Sequence, residues 1–572
     1  MRYSLCLFAL LLFGALTACH QRPTADAVYH NGIIYTVDSS NSEHQSFAVS
    51  QGTIEAIGSN EAVSAYIGPS TQVIDLQGHF VMPGIQDMHM HPVDGGIKGK
   101  FECAFADTLD AEAITRVIAD CVSAANPGDW ILGGQWGPGL LLNKTDHLLE
   151  LLDSVSPDNP VFIMDWALHA AWANSLALDN IGISSDSPDP VGGVIMKRTD
   201  GQLTGILLDN SAYQARHKIP YYTPDQIADA IAFSIDQMLA HGITSYKDAL
   251  TPKRNLVGYQ TLRERGDNRI KIKTSLAWKS AWSRSHDDEL TMIKNFVQHS
   301  RENLDTAYAK IMLDGIPPTY TAALLEPYNP TPEFGDNHYG KLMLEPNVLA
   351  TDVTKLDALG LTVKIHATGD RSIRIALDAI EQARKINGDS GLRHEVSHAE
   401  LIHPDDLSRF AELNVAAEMC PILWYPGPAV DAMRIAMGDR ANQMWPVRSL
   451  VNSGALVFYG SDWPSVVPDT NPWPGIEAMV TRKDPYERFE GDYWLEEAVD
   501  LATALRIFTI NGATAGKQAA ETGSLEVGKA ADFIVLDRNP FTIAEDELSD
   551  VQAVYTYIDG VEVWAMNPRG VK

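Results

Sequence analysis

Eight short β-rich runs, at 85–91, 243–247, 270–276, 309–313, 361–366, 394–398, 415–418 and 457–462, frame this 572-residue chain. Longer stretches with helical spacing fall between them, at 223–241, 287–303, 347–358, 372–386 and 404–413. Strands that alternate with helices pair in parallel through helical crossovers. Eight of them are the number that closes a (β/α)8 barrel. The count leaves about 95–220 as an insertion after the first run. That segment has strand-like runs of its own at 130–134 and 160–165, and is expected to fold as a cap over the barrel mouth.

The two ends of the chain read differently. Residues 26–80 are strand-rich, with turn signals at Asn31-Gly32, read as a hairpin, and at Gln51-Gly52. Residues 523–572 repeat the pattern and carry an Asp559-Gly560 hairpin signal. Neither segment can bury a face alone, so the two are expected to form one composite β-sandwich. The fold class is therefore α/β: a TIM barrel at 81–522, a sandwich built from both chain ends, and an inserted cap.

The first residues stand outside that fold. Met1-Arg2 is followed by an apolar run from Leu5 to Leu16, too short to span a bilayer and of signal-peptide length. It ends in Leu16-Thr17-Ala18-Cys19, which resembles a bacterial lipobox. Residues 1–18 then read as a signal peptide and 19–25 as a lipoprotein tether, with Cys19 lipidated. No aspartate follows Cys19, which favours an outer-membrane anchor facing the periplasm. In such an oxidising compartment Cys103 and Cys121 could pair, although sequence leaves the pairing open. A formal charge of −30 repels nucleic acid, so phosphate-backbone partners are excluded.

Barrel enzymes carry their chemistry at the C-terminal ends of strands. The first run ends in His89-Met90-His91, and side chains at i and i+2 of a strand share a face, so both imidazoles can reach one ion. Lys310 lies in the fourth run, His366 ends the fifth, His398 the sixth and Asp462 the eighth. Any one alone would more often be a satisfied polar residue. Together, at strand ends and in chain order, they point to a metal site of imidazole and carboxylate donors, a set that suits zinc.

These residues sit within motifs that resemble the amidohydrolase superfamily, and most of all the YtcJ-like group of amidohydrolase family 3. The motifs are Pro83-Gly84-Ile85-x-Asp87-x-His89-x-His91, His169-Ala170-Ala171-Trp172, Asp314-Gly315, His366-Ala367-x-Gly369-Asp370-Arg371, Gly460-Ser461-Asp462 and Gly523-Ser524-Leu525-Glu526-x-Gly528-Lys529. The resemblance implies one or two divalent ions, zinc by preference. His89, His91 and Asp462 would hold the buried ion, and His366 and His398 a second. Lys310 would be carboxylated and bridge them. Lys247 is the alternative, and the strand count favours Lys310. His394 would stand behind His398 or serve as a spare ligand. Asp462 would take the proton of a metal-bound water as it attacks a carbonyl, and pass it to the leaving nitrogen.

His169 and Arg371 are candidate substrate contacts; Arg371 could instead pair with Asp370. Trp136, Trp424, Tyr425, Trp463 and Trp473 are candidates for an aromatic pocket. At Ala416 to Trp424 the chain departs from the Gln-Pro pair more usual in the group, which implies a different pocket wall. The implied activity is hydrolysis of carbon–nitrogen bonds other than peptide bonds, on a small-molecule N-acyl or N-formyl amide. Deamination, ester or lactone hydrolysis at the same site, and a non-catalytic binding lipoprotein are the alternatives. Membrane contact would come only through the lipid, and a homo-oligomer is left open.

Overall fold

All eight runs lie side by side in one parallel sheet of the computed structural model. The structure describes residues 24–566 except 107, 138–139, 141–146, 166–169, 191–192, 281–282, 284, 332–334 and 466. The barrel strands are β1 (Ile85–Met90), β2 (Ile243–Thr251), β3 (Lys271–Ala277), β4 (Leu304–Met312), β5 (Thr362–Ala367), β6 (Glu395–His398), β7 (Ala416–Met419) and β8 (Leu456–Tyr459). Every residue of β1 and β5 is buried, as expected of parallel strands covered on both faces.

Seven of the eight joints are parallel ladders. The eighth, between β8 and β1, closes just beyond the strand ends. There the Asp462 amide donates to His89 O and the His91 amide to Trp463 O, both at 2.7 Å. Gly460 makes that approach possible. A Cβ on it would lie 2.4 Å from His89 Cβ and 2.9 Å from Glu418 Oε1.

Helices wrap the outside. Pro224–Ala240 starts with a Thr223/Gln226 capping box and proline in its first turn, and turns Ile227, Ile231, Ile235 and Met238 inward. Asp370–Asn387 buries Ile373, Leu377 and Ile380 at helical spacing. The helix expected over 287–303 is broken: His286–Lys294 ends at Asn295, whose side-chain amide donates back to Thr291 O, and only the short Phe296–His299 follows. The floor of the barrel is filled by Ile510–Ala515, with Met88, Ala416, Phe458 and Ala515 in one apolar cluster.

The chain ends interleave. A six-stranded sheet runs Val561–Ala565, Ala553–Ile558, Phe533–Leu536, Phe80–Pro83, Ile33–Tyr35, Glu43–His44, so C-terminal strands continue directly into N-terminal ones. A four-stranded sheet of Thr53–Gly58, Ser46–Ser50, Ala27–His30 and Gln72–Asp75 faces it across stacked Tyr29, Phe47, Phe533 and Tyr557. Gln51-Gly52 and Asp559-Gly560 make hairpin turns with positive φ at both positions. Asn31-Gly32 does not. Ala27–His30 and Ile33–Tyr35 belong to different sheets, so this pair is a corner between them. A Cβ on Gly32 would lie 2.7 Å from Leu76 Cδ1, which shows how tightly the corner is packed.

The segment after β1 forms a mixed six-stranded sheet with Cys103–Ala104 at one edge and Gly193–Lys197 at the other. It joins the barrel through the helix Pro92–Lys100, which packs on Pro224–Ala240 through Gly96. Cys103 and Cys121 form a disulfide that ties the edge strand to the helix Ala111–Ala124.

Two stability effects follow. Gly460→Ala should overpack the seam and lower stability by about 1–3 kcal/mol, read as a fall in thermal midpoint. An unchanged midpoint would show that the seam can open without cost. Replacing Cys103 and Cys121 by serine frees a crosslink spanning 18 residues, worth about 3 kcal/mol by chain entropy. The urea midpoint of the variant should fall below that of the oxidised wild type.

Candidate metal centre

The seam between β8 and β1 is where the ligand atoms meet. His89 is buried near the end of β1, and His91 follows with a side chain 23% exposed. Asp462 arrives from β8 in a left-handed backbone conformation, φ 58°. Its Oδ1 lies 3.3 Å from His89 Nε2 and 3.2 Å from His91 Nε2. Burial alone would raise the pKa of Asp462, but its contacts with the His89 and His91 imidazoles outweigh it and hold the carboxyl well below the ordinary range. Asp87 ties the seam from beneath, accepting the amides of His89 and Ser461, both at 3.1 Å.

A second convergence brings His89, His398 and Glu418 together. One neutral imidazole cannot serve both groups, because it offers one lone pair and one N–H. His89 Nδ1 is in close contact with Glu418 Oε2. If that nitrogen carries the proton, Nε2 is left with its lone pair facing His91 and Asp462. This is the usual way a carboxylate sets the tautomer of a ligating histidine.

The other two histidines complete an arc. The ring of His398 lies 4.7 Å from that of His89 and 4.6 Å from that of His366. His398, like Asp462, is left-handed (φ 71°), a conformation worth about 1–3 kcal/mol of strain at a non-glycine residue. His366 Nδ1 is buried without a hydrogen bond, 3.3 Å from Asp314 Oδ1. Asp314 in turn accepts the amides of Ala323 and Gly369 and the hydroxyl of Ser372, so it fixes the loop after β4 to the end of β5. Two imidazoles and a carboxylate on one side, two further imidazoles on the other, and an unpaired buried ring nitrogen make a donor set that fits divalent cations such as zinc.

The two candidate lysines part company. Lys310 is buried on β4 with Nζ 3.0 Å from Ser397 Oγ, next to His398 in sequence. Burial, reinforced by the charge of Lys364, lowers its pKa to about 7. Lys247 on β2 is paired with Glu395 and lies 4.1 Å from the ring centre of Tyr308. Its ammonium is already neutralised.

Other sequence candidates are placed elsewhere. His394 precedes β6, accepts the Val363 amide at Nδ1 and meets Asp357 through Nε2 at 3.0 Å. Both nitrogens are occupied, so it is no spare ligand. Arg371 is exposed at the start of Asp370–Asn387. The Asp370 carboxylate accepts the amides of Leu325 and Arg371, and among the described residues the two side chains form no ion pair. His169 and Cys19 lie outside the described residues. Of the expected aromatic wall, Trp136 belongs to the core of the inserted sheet, and Trp424 and Trp473 are fully buried. Glu418 and Asp314 were missed as participants. Glu418 does carry a signal in the sequence, a charged residue in an otherwise apolar strand.

A model of the amidohydrolase family matches residues 72–564. Protein LONG AFTER FAR-RED 3 of Arabidopsis thaliana is 31% identical over 552 residues, covering 94% of this chain and 92% of that one. The N-substituted formamide deformylase of Arthrobacter pascens is 29% identical, covering 94% and 98%. YtcJ of Bacillus subtilis is 26% identical, covering 94% and 99%. A crystal structure of an uncharacterised metal-dependent hydrolase from Pyrococcus horikoshii shares the fold with a TM-score of 0.74 at 23% identity, over 91% of this chain and 99% of that one. With a family match over most of its length, the chain belongs to the amidohydrolase family, as a hydrolase of carbon–nitrogen bonds.

Proposed function

We propose that the protein hydrolyses a small N-acyl or N-formyl amide with the help of divalent metal, zinc by its donor set. The observation that carries this reading is the convergence of His89 Nε2, His91 Nε2 and Asp462 Oδ1 at the barrel seam. The 29% identity to an N-substituted formamide deformylase supports the choice of a formamide among amides.

In this reading His89, His91 and Asp462 would hold one ion and His366 and His398 a second, and Lys310, as a carbamate, would supply a further oxygen ligand. Such ions acidify bound water and polarise a carbonyl oxygen. Asp462 is the proton carrier. It accepts the proton of the attacking water and returns it to the departing nitrogen, which leaves as a neutral amine. Its side chain and that of His91 keep 20% and 23% exposure, so they mark the side from which substrate would enter. Lys310 suits carbamate formation because an amine with a pKa of about 7 is substantially neutral at neutral pH, the form that attacks carbon dioxide. The disulfide between Cys103 and Cys121 fits a chain exported by residues 1–18 and tethered in the periplasm by Cys19.

Purified protein should release amine and acid from a panel of N-substituted formamides and N-acyl amides, lose that activity on chelation and regain it with zinc. Turnover of esters or free amines without any amide would overturn the substrate assignment. Asp462→Asn should lower kcat by on the order of 10²–10⁴-fold; full activity would remove Asp462 from the proton path. Lys310→Met should lower the amount of zinc bound at saturation below that of wild type, whereas Lys247→Met, which leaves every ligand in place, should keep the wild-type stoichiometry at saturating zinc. The reverse pattern would give the bridging role to Lys247.

A further inference from the structure

The lumen beneath the histidines is not filled as barrel lumens usually are, with layers of branched aliphatic side chains. Four fully buried charges cross it instead, in strict alternation. Lys247 of β2 pairs with Glu395 of β6. Lys364 of β5 lies 3.3 Å from Glu395 Oε2 and 3.3 Å from Glu418 Oε2. Glu418 of β7 ends the string on Nδ1 of His89. Desolvating four ions is unfavourable, and a string of this kind is stable only while each charge keeps its neighbours.

We infer that Lys364, Glu395 and Lys247 are positioning residues for metal binding. The string holds Glu418 in place as an anion, and Glu418 fixes the His89 ring with Nδ1–H toward itself and the Nε2 lone pair toward His91 and Asp462. The inference rests on the metal-site reading above. The strands support it. The four charges come from four different strands, so the string sets the distance between walls of the barrel that share no ladder, β2 with β6 and β5 with β7. Without Lys364, Glu418 has no buried cation left in the string and its hold on His89 is released. The role differs from general support of the fold, because one oxygen of the terminal Glu418 meets a ring nitrogen of a ligating side chain, while its other oxygen accepts the Cys420 thiol.

The test is zinc affinity, measured by competition with a chromophoric chelator, for wild type, Lys364→Met, Glu418→Gln and the double variant, beside the thermal midpoints of the metal-free proteins. Each single variant should bind zinc about 10–100-fold more weakly. The double variant should be no weaker than Glu418→Gln alone, since the lysine acts through the glutamate. Should Lys364→Met fail to fold, Glu418→Gln, which keeps size and an acceptor, and Glu395→Gln, one step further out, carry the same test. Wild-type affinity in folded variants with lowered midpoints would overturn the inference and leave the string a purely structural feature. Wild-type protein that binds no zinc, or binds it equally well as His89→Asn, would overturn the metal-site reading and the inference with it. His89→Asn weakened while the string variants bind normally would sink the inference alone.

Discussion

The closure of the barrel between β8 and β1 is the constraint on which the rest depends. Two main-chain hydrogen bonds, from Asp462 to His89 and from His91 to Trp463, join the first and last barrel strands without a ladder. They act past the strand ends, where side chains are free to turn toward the mouth. The same residues that close the sheet therefore carry the imidazoles and the carboxylate. Left-handed φ at Asp462 and the absence of a side chain at Gly460 are the local conditions for that geometry. The backbone strain at Asp462 is held by its neighbours: Asp87 below, and the Trp463 carbonyl that receives the His91 amide.

Polar groups in this barrel come in two layers. The upper layer is the arc of His91, His89, His398 and His366, with Glu418 against Nδ1 of His89 and Asp314 3.3 Å from Nδ1 of His366. The lower layer is ionic and runs from Lys247 to Glu418. Met88, Ala416 and Phe458 form an apolar cluster with Ala515 of the floor helix Ile510–Ala515, and the centre of the Phe458 ring lies 5.2 Å from Lys364 Nζ. The cost in desolvation is offset by the neighbouring opposite charge that each member of the string keeps within ion-pair distance.

Much of this was legible in the sequence. Parallel strands buried on both faces leave compact apolar runs, so all eight were visible, and their polar endings marked His89, His91, His366, His398 and Asp462. What escaped depends on contacts between distant segments. Glu418 looks like a stray charge until the barrel brings it against His89 of β1 and Lys364 of β5. Asp314 looks like half of a turn until the loop after β4 folds onto Gly369. Asn31-Gly32 has the composition of a hairpin, yet tertiary pairing pulls its two arms into separate sheets. Helix 287–303 has unbroken local propensity, and only the capping bond of Asn295 ends it. Local patterns report burial and period; partner choice across hundreds of residues is not written locally.

The chain ends bear on the site more directly than their distance suggests. Phe80–Pro83 is paired on one side with Phe533–Leu536, and the Gly84 amide, one residue before β1, donates to Asp532 O. Asp532 also takes Lys271 at the start of β3 and the Thr522 hydroxyl. The entry of β1 is thus clamped by C-terminal residues, while its exit carries His89 and His91. A strand held at its root by one domain and ligating at its tip in another cannot slide without moving both, because a shift by one residue would turn His89 to the opposite face. The composite sandwich therefore fixes the register of the strand that the seam completes.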